Sequence, residues 1–264
     1  MLCLLAWAAG IVDAVSYLGL GRVFTAMMTG NTVLLALAIG QGESMAILRS
    51  ALALAGFSVG AATGAFIVSR GRSRDEWPPS VTAAFAFEAL LLAGFTAVWH
   101  VAGSTLTTGT TNLLMVLSGL AMGVQAAAVR HLGIPGVATT YLTGTLTSLM
   151  AELVGWGRAL AGASLRVASS AERAIDASAS LKWPQRIGLL TGIFFVYALG
   201  ALVGGALHAR SSTLVAWLPF AAVVVVVVTG VMRHRMPGTA PEEEASHGAA
   251  RAFPRVRCFR SATA

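Results

Sequence analysis

Eight apolar stretches follow one another along this chain, each near the ~20 residues that a helix needs to cross a bilayer. They run Leu2 to Leu20, Phe24 to Ile39, Met45 to Ser69, Val81 to Val101, Thr110 to Val129, Val137 to Val154, Ile187 to Ala209 and Leu214 to Met232. A water-soluble core cannot hide them. Of the 264 residues, 56% are hydrophobic and 11% charged, with a mean hydropathy of +0.76, whereas soluble domains carry about 25% charged residues. The fold class is an all-α polytopic membrane protein. No Lys or Arg precedes Arg22, so the first stretch lacks the basic start of a signal peptide and reads as the first membrane helix.

The eight segments divide four plus four. Gly60, Gly64 and Arg70 of the third match Gly200, Gly204 and Arg210 of the seventh at a constant spacing of 140 positions. The peptide Met28-Thr29-Gly30-Asn31-Thr32 returns as Leu142-Thr143-Gly144-Thr145-Leu146, at a spacing of 114. In each copy small polar residues interrupt an apolar stretch: an extended arm precedes Thr-Gly and a short helix follows it.

Charge decides how these interrupted segments lie. Setting aside Arg251, Arg255, Arg257 and Arg260 in the tail, 14 basic residues remain, and eight crossings would divide them 6 to 8. If the second and sixth segments dip in and return, the division becomes 3 to 11, with Arg22, Arg49 and Arg210 alone outside. The positive-inside rule favours the second arrangement, with both termini cytoplasmic. The expectation is six crossings plus two broken or re-entrant segments, in two inverted three-crossing repeats over residues 1–105 and 106–235. Residues 157–184 read as a basic cytoplasmic surface loop with a short amphipathic helix, and the tail 236–264 as disordered by composition.

Backbone that is not helical at membrane depth must be buried in protein or line a wet cavity. The N–H groups at the start of a half-helix also favour an anionic or strongly polar ligand. The candidate ligand-binding residues are therefore Thr29, Gly30, Asn31, Thr143, Gly144 and Thr145, with Gln125 and Tyr141 beside them and Tyr17 as a further closing group. The plain alternative is that Thr-Gly caps and packs a short helix.

Asp13 lies about a dozen residues inside the first segment, where a carboxylate is costly and marks a functional position. It is the candidate site for a coupling proton or cation, against an interhelical hydrogen bond or a salt bridge to Arg22 or Arg130. Gln125 occupies about the equivalent place in the fifth segment, 112 positions on. Glu88 reads as helix glue or a second proton site. Gly56, Gly60 and Gly64, Gly188 and Gly192, and Gly200 and Gly204 recur four apart, a spacing that lets helix backbones approach.

Other chemistry finds no pattern. The chain has no HExxH, GxSxG, Walker loop or carboxylate pair at helical spacing, so no enzyme is expected. Cys3 and Cys258 stand at opposite ends without metal-ligand spacing, and His100, His131, His208 and His234 sit singly near segment ends. No metal or cofactor is expected. The net charge of +7 lies in loops rather than on one basic face, so topology explains it better than nucleic acid does.

The chain resembles the YoaK family of bacterial inner-membrane proteins over about residues 4 to 232. The resemblance rests on Ala9 to Leu18, Phe24 to Thr32, Ala121 to Ala126 and Thr139 to Leu146. The family typically carries Asn where this chain has Met27, and Asn after the Gln where it has Ala126. The resemblance implies the membrane topology and supplies no substrate. The expected function is a secondary transporter or channel-like carrier of a small polar or anionic solute, coupled to a proton. The alternative is a non-transporting membrane scaffold or assembly factor whose basic segment recruits a partner or anionic lipid. The expected partners are the bilayer, the solute and a further copy of the chain.

Overall fold

The computed structural model describes residues 1–71, 77–103, 106–134, 139–140, 142–165 and 170–235. These form eight helices: α1 (Leu2–Gly19), α2 (Met28–Gln41), α3 (Ser44–Ser69), α4 (Pro79–Ala102), α5 (Thr108–His131), α6 (Leu142–Leu165), α7 (Ser170–His208) and α8 (Ser212–Arg235). Among the described residues, six spans are long and apolar enough to cross a membrane: α1, α3, α4, α5, Gln185–His208 of α7 and Thr213–Arg235 of α8. The protein is a polytopic all-helical membrane protein. At 14 residues, α2 reaches only about 21 Å, short of a ~30 Å hydrocarbon core. It ends at Gly42, whose φ of 71° closes the last turn, and Glu43 N–H returns to Ala38 O.

The segment expected to be a loop over 157–184 is instead helical up to Leu165 and again from Ser170. Its alanines, among them Ala171, Ala174, Ala177 and Ala179, favour helix, and this local propensity outweighs the composition on which a loop was expected. Tyr141 and the tail 236–264 lie outside the described residues.

The helix directions follow from contacts at their ends. Gly19 at the end of α1 packs against Trp99 and His208, at the ends of α4 and α7. These three helices end on one face of the bundle. Thr96 Oγ1 near the end of α4 donates to Ala216 O near the start of α8, while Thr82 at the start of α4 pairs with His234 at the end of α8. α4 and α8 are therefore antiparallel. Four successive crossings after α4 would have made them parallel, so the directions fit a chain in which α6 returns to the face it left. By the same reasoning, α1 and α4 end together because α2 also returns.

Glycine sets the closest approaches. A Cβ on Gly10 of α1 would collide with Tyr197 O of α7, and one on Gly123 of α5 with Phe57 O of α3. Gly200 lies on Trp7 and Gly204 on Ile11, while Gly60 lies on Leu120 and Gly64 on Val124. Each pair of contacts matches the other residue for residue, at a spacing of 140 between α3 and α7 and 113 between α1 and α5. The register corrects one expectation: Ala126, not Gln125, is the counterpart of Asp13. Gly188 has open space around it and Gly192 meets only Cys3 Sγ at 4.0 Å, so that pair does not pack backbones together. The centre between α1, α4, α5 and α8 is filled by Leu5, Ala9, Phe85, Leu92, Met122 and Val223.

Gly123→Leu and Gly200→Leu must each push two backbones apart, so each is expected to lower the unfolding temperature of the detergent-solubilised protein by 5 °C or more (about 1–3 kcal/mol of overpacking). Gly94→Leu, where nothing lies within 4 Å, is the tolerated control. In a chain without Cys3 and Cys258, cysteines at Gln41 and Arg158 are expected to label from opposite sides of sealed vesicles. Labelling from one side would refute the return of α2 and α6.

Candidate functional site

Between α1 and α2 the backbone leaves helical geometry at Gly21 (φ 92°) and Arg22 (φ 63°) and runs as an arm to Met27. Its N–H groups need acceptors, because apolar surroundings offer none. Asp13, 3% exposed, supplies them. Its Oδ1 accepts from Thr25 N–H at 2.9 Å and from Ala26 N–H at 2.7 Å, and its Oδ2 accepts from the Tyr197 hydroxyl at 2.5 Å. The Ser16 and Thr25 hydroxyls meet at 2.8 Å. Asn31, fully buried in the first turn of α2, accepts from Phe24 N–H at 2.9 Å and donates back to Phe24 O. Asp13 thus forms neither of the salt bridges weighed for it; two backbone donors and a phenol meet the cost of burying it.

The second arm is held differently. Gln125, fully buried, donates through Nε2 to Leu5 O at 3.2 Å and to Thr139 Oγ1 at 2.9 Å, and its Oε1 has no hydrogen-bond partner among the described residues. Thr139 stands 114 positions after Thr25, so equivalent arm positions are tied down by an accepting carboxylate in one half and a donating amide in the other. α2 begins without a side-chain cap, Met27 having no acceptor to offer.

A cavity of about 850 Å³ joins the two arms. Its inner end is lined by Ala26 of the first arm with Met28 and Thr29 at the start of α2, and by Thr139 and Thr140 of the second arm. Its walls are Phe57, Ala61 and Ala65 of α3 and Ala126 and Ala127 of α5. It reaches exposed Ser69, Arg130, His131 and Ile134 at the ends of α3 and α5. Among the described residues Arg130 enters no ion pair, and it places positive charge at the mouth of a mostly apolar interior. Small-molecule sites are commonly concave and mostly apolar with a few converging polar groups, and this cavity has those features.

Of the residues expected to bind ligand, Thr29 lines this cavity. Gly30 packs beneath Phe24 and Met27, Asn31 and Gln125 hold the arms, and Thr143, Gly144 and Thr145 belong to the first turn of α6 without lining it. Tyr17 stacks on Phe24 with ring centroids 5.1 Å apart. Glu88 is fully buried in α4 with both carboxyl oxygens unpartnered, so the glue reading finds no bond to rest on among the described residues. Sequence reasoning missed Thr25, Thr139, Thr140, Arg130 and Tyr197. The 114-position spacing that linked Thr29 to Thr143 also links Thr25 to Thr139, and would have found that pair.

Residues 1–229 match a family described as "Protein of unknown function (DUF1275)". The chain is 41% identical over 155 residues to the UPF0700 transmembrane protein YoaK of Bacillus subtilis (strain 168), an overlap that covers 59% of this chain and 67% of that one. No solved structure matches. With six helices among the described residues long and apolar enough to span a membrane, and a family match over most of its length, the chain belongs to the DUF1275 family and is a relative of the YoaK transmembrane protein.

Proposed function

We propose that this is a secondary transporter of the bacterial cytoplasmic membrane, carrying a small polar or anionic solute coupled to a proton, with both termini in the cytoplasm. The observation that carries the reading is the cavity that reaches both arms from a face bearing Arg130 and His131. A positive mouth concentrates anions. The hydroxyls of Thr29, Thr139 and Thr140, and the first-turn N–H groups of α2, then replace part of the solute's hydration.

The matching spacings and the antiparallel α4 and α8 support two inverted repeats, the plan in which a central site is exposed first to one side and then to the other. Asp13 provides the coupling. As a carboxylate it holds the first arm through Thr25 and Ala26; a proton on it removes the charge that strengthens those bonds and frees the arm to move. Solute bound at Thr29, next to the arm, biases the same equilibrium, which is what coupling requires.

Proteoliposomes with a trapped pH dye test this against monocarboxylates, inorganic phosphate and amino acids. One class is expected to drive saturable proton movement, reduced at least tenfold by Asp13→Asn and abolished by Ala126→Phe, which fills the cavity wall. Undiminished proton-coupled flux in Asp13→Asn would remove the coupling role. No flux with any class, together with no solute-induced thermal shift, would favour the scaffold.

A further inference from the structure

A second, smaller cavity lies on the opposite side of the same arm. It has a volume of about 270 Å³ and is lined by Gly21, Arg22 and Val23 of the arm, Ala38 of α2, and Arg49 and Ser50 of α3. This is the face at which α1, α4 and α7 end, the one poor in basic residues. Among the described residues the arginines there are Arg22, Arg49 and Arg210, and two of the three line this one cavity. Basic residues on such a face are disfavoured by the topology itself, so their convergence calls for a local cause.

Among the described residues neither arginine is in an ion pair. Glu43 lines the same cavity without pairing with either one, which leaves an excess of one positive charge. Arg49 Nε is buried without a hydrogen-bond partner. The guanidinium lies against Gly21, where a Cβ would collide with it; a positive φ and a missing side chain together let the arm close over Arg49. A guanidinium presents five N–H donors in a fixed fork suited to oxyanions, and an unfilled buried donor is costly.

We propose that this cavity is a binding site for a small oxyanion, held between Arg22 and Arg49. Its volume falls below the ~300–1,000 Å³ of pockets for drug-sized ligands, which suits a sulfate, phosphate or small carboxylate, or the phosphate of a lipid headgroup reaching in from the leaflet. The site stands apart from the transport reading, since it requires binding and no flux. If transport holds as well, the arm separates an anion site on one face from the solute cavity on the other.

The test is a thermal-shift titration of the full-length protein in zwitterionic detergent with sodium sulfate, at ionic strength held constant with sodium chloride. Ligand that binds only the folded state raises the unfolding temperature. Sulfate is expected to raise that of the wild type and of Arg210→Gln, and to lose at least half of its effect in Arg22→Gln and in Arg49→Gln. Equilibrium dialysis with radiolabelled sulfate on Arg22→Gln, an exposed arm position, provides the same reading if Arg49→Gln folds poorly. Loss of the sulfate shift when phosphatidylglycerol but not phosphatidylcholine is added assigns the site to a lipid headgroup; its persistence assigns it to the free anion. A sulfate effect equal in all four proteins, or none beyond chloride, overturns the proposal.

Discussion

Everything around the candidate site depends on one carboxylate accepting from backbone that would otherwise have nowhere to bond. An arm without helical hydrogen bonds inside an apolar bundle would leave each N–H unmet at a cost of several kcal/mol. Asp13 meets two of them and is itself braced by Tyr197. That clamp ties α1 to α7 and to the arm in a single network, so none of the three can move without the others responding. The lower end of α2, and hence Thr29, takes its position from the same clamp.

The glycine contacts make the clamp possible. With Gly10 against the backbone at Tyr197 and Gly200 against Trp7, α1 and α7 lie close enough for a tyrosine hydroxyl to reach an aspartate. α5 and α3 repeat the approach, but Phe57 stands at the position equivalent to Tyr197, and Ala126 at that of Asp13. The packing is preserved and the polar pair is not. The second half therefore binds its arm through Gln125, one residue earlier on α5, and leaves the wall of the large cavity apolar at Ala126.

Much of this was legible in the sequence because its physical causes are local. Span length, the Arg bias between loops and the recurring glycines follow from composition and spacing, and Asp13 stood out because a carboxylate in an apolar helix always requires an explanation. The register between α1 and α5 was off by one residue, since a single slip turns a side chain about 100° around its helix, and unequal connections hide the true alignment. That slip placed Gln125 where Ala126 faces the cavity. Tyr197 was not legible: a tyrosine in an apolar run carries no mark of its partner, and the pair meets across 184 positions. Nor did the sequence foretell that the Thr-Gly peptides would contribute only Met28 and Thr29 to the lining, both from the first copy, because the preceding arm residues reach further in.

The interlocking of the halves also bears on how the chain is made. α1 has its closest partner in α7 and α3 in α5, so neither glycine contact can form within the first half alone. During synthesis α1 enters the membrane with Asp13 long before the tyrosine that braces it has been translated. Contacts so distant in sequence form late, and the ribosome therefore delivers an aspartate that can take the two N–H groups of the adjacent arm but must wait for the seventh helix to bring its third partner. A truncation before α7, or a delay in its insertion, would leave the quality-control machinery of the membrane a polar group in lipid to detect.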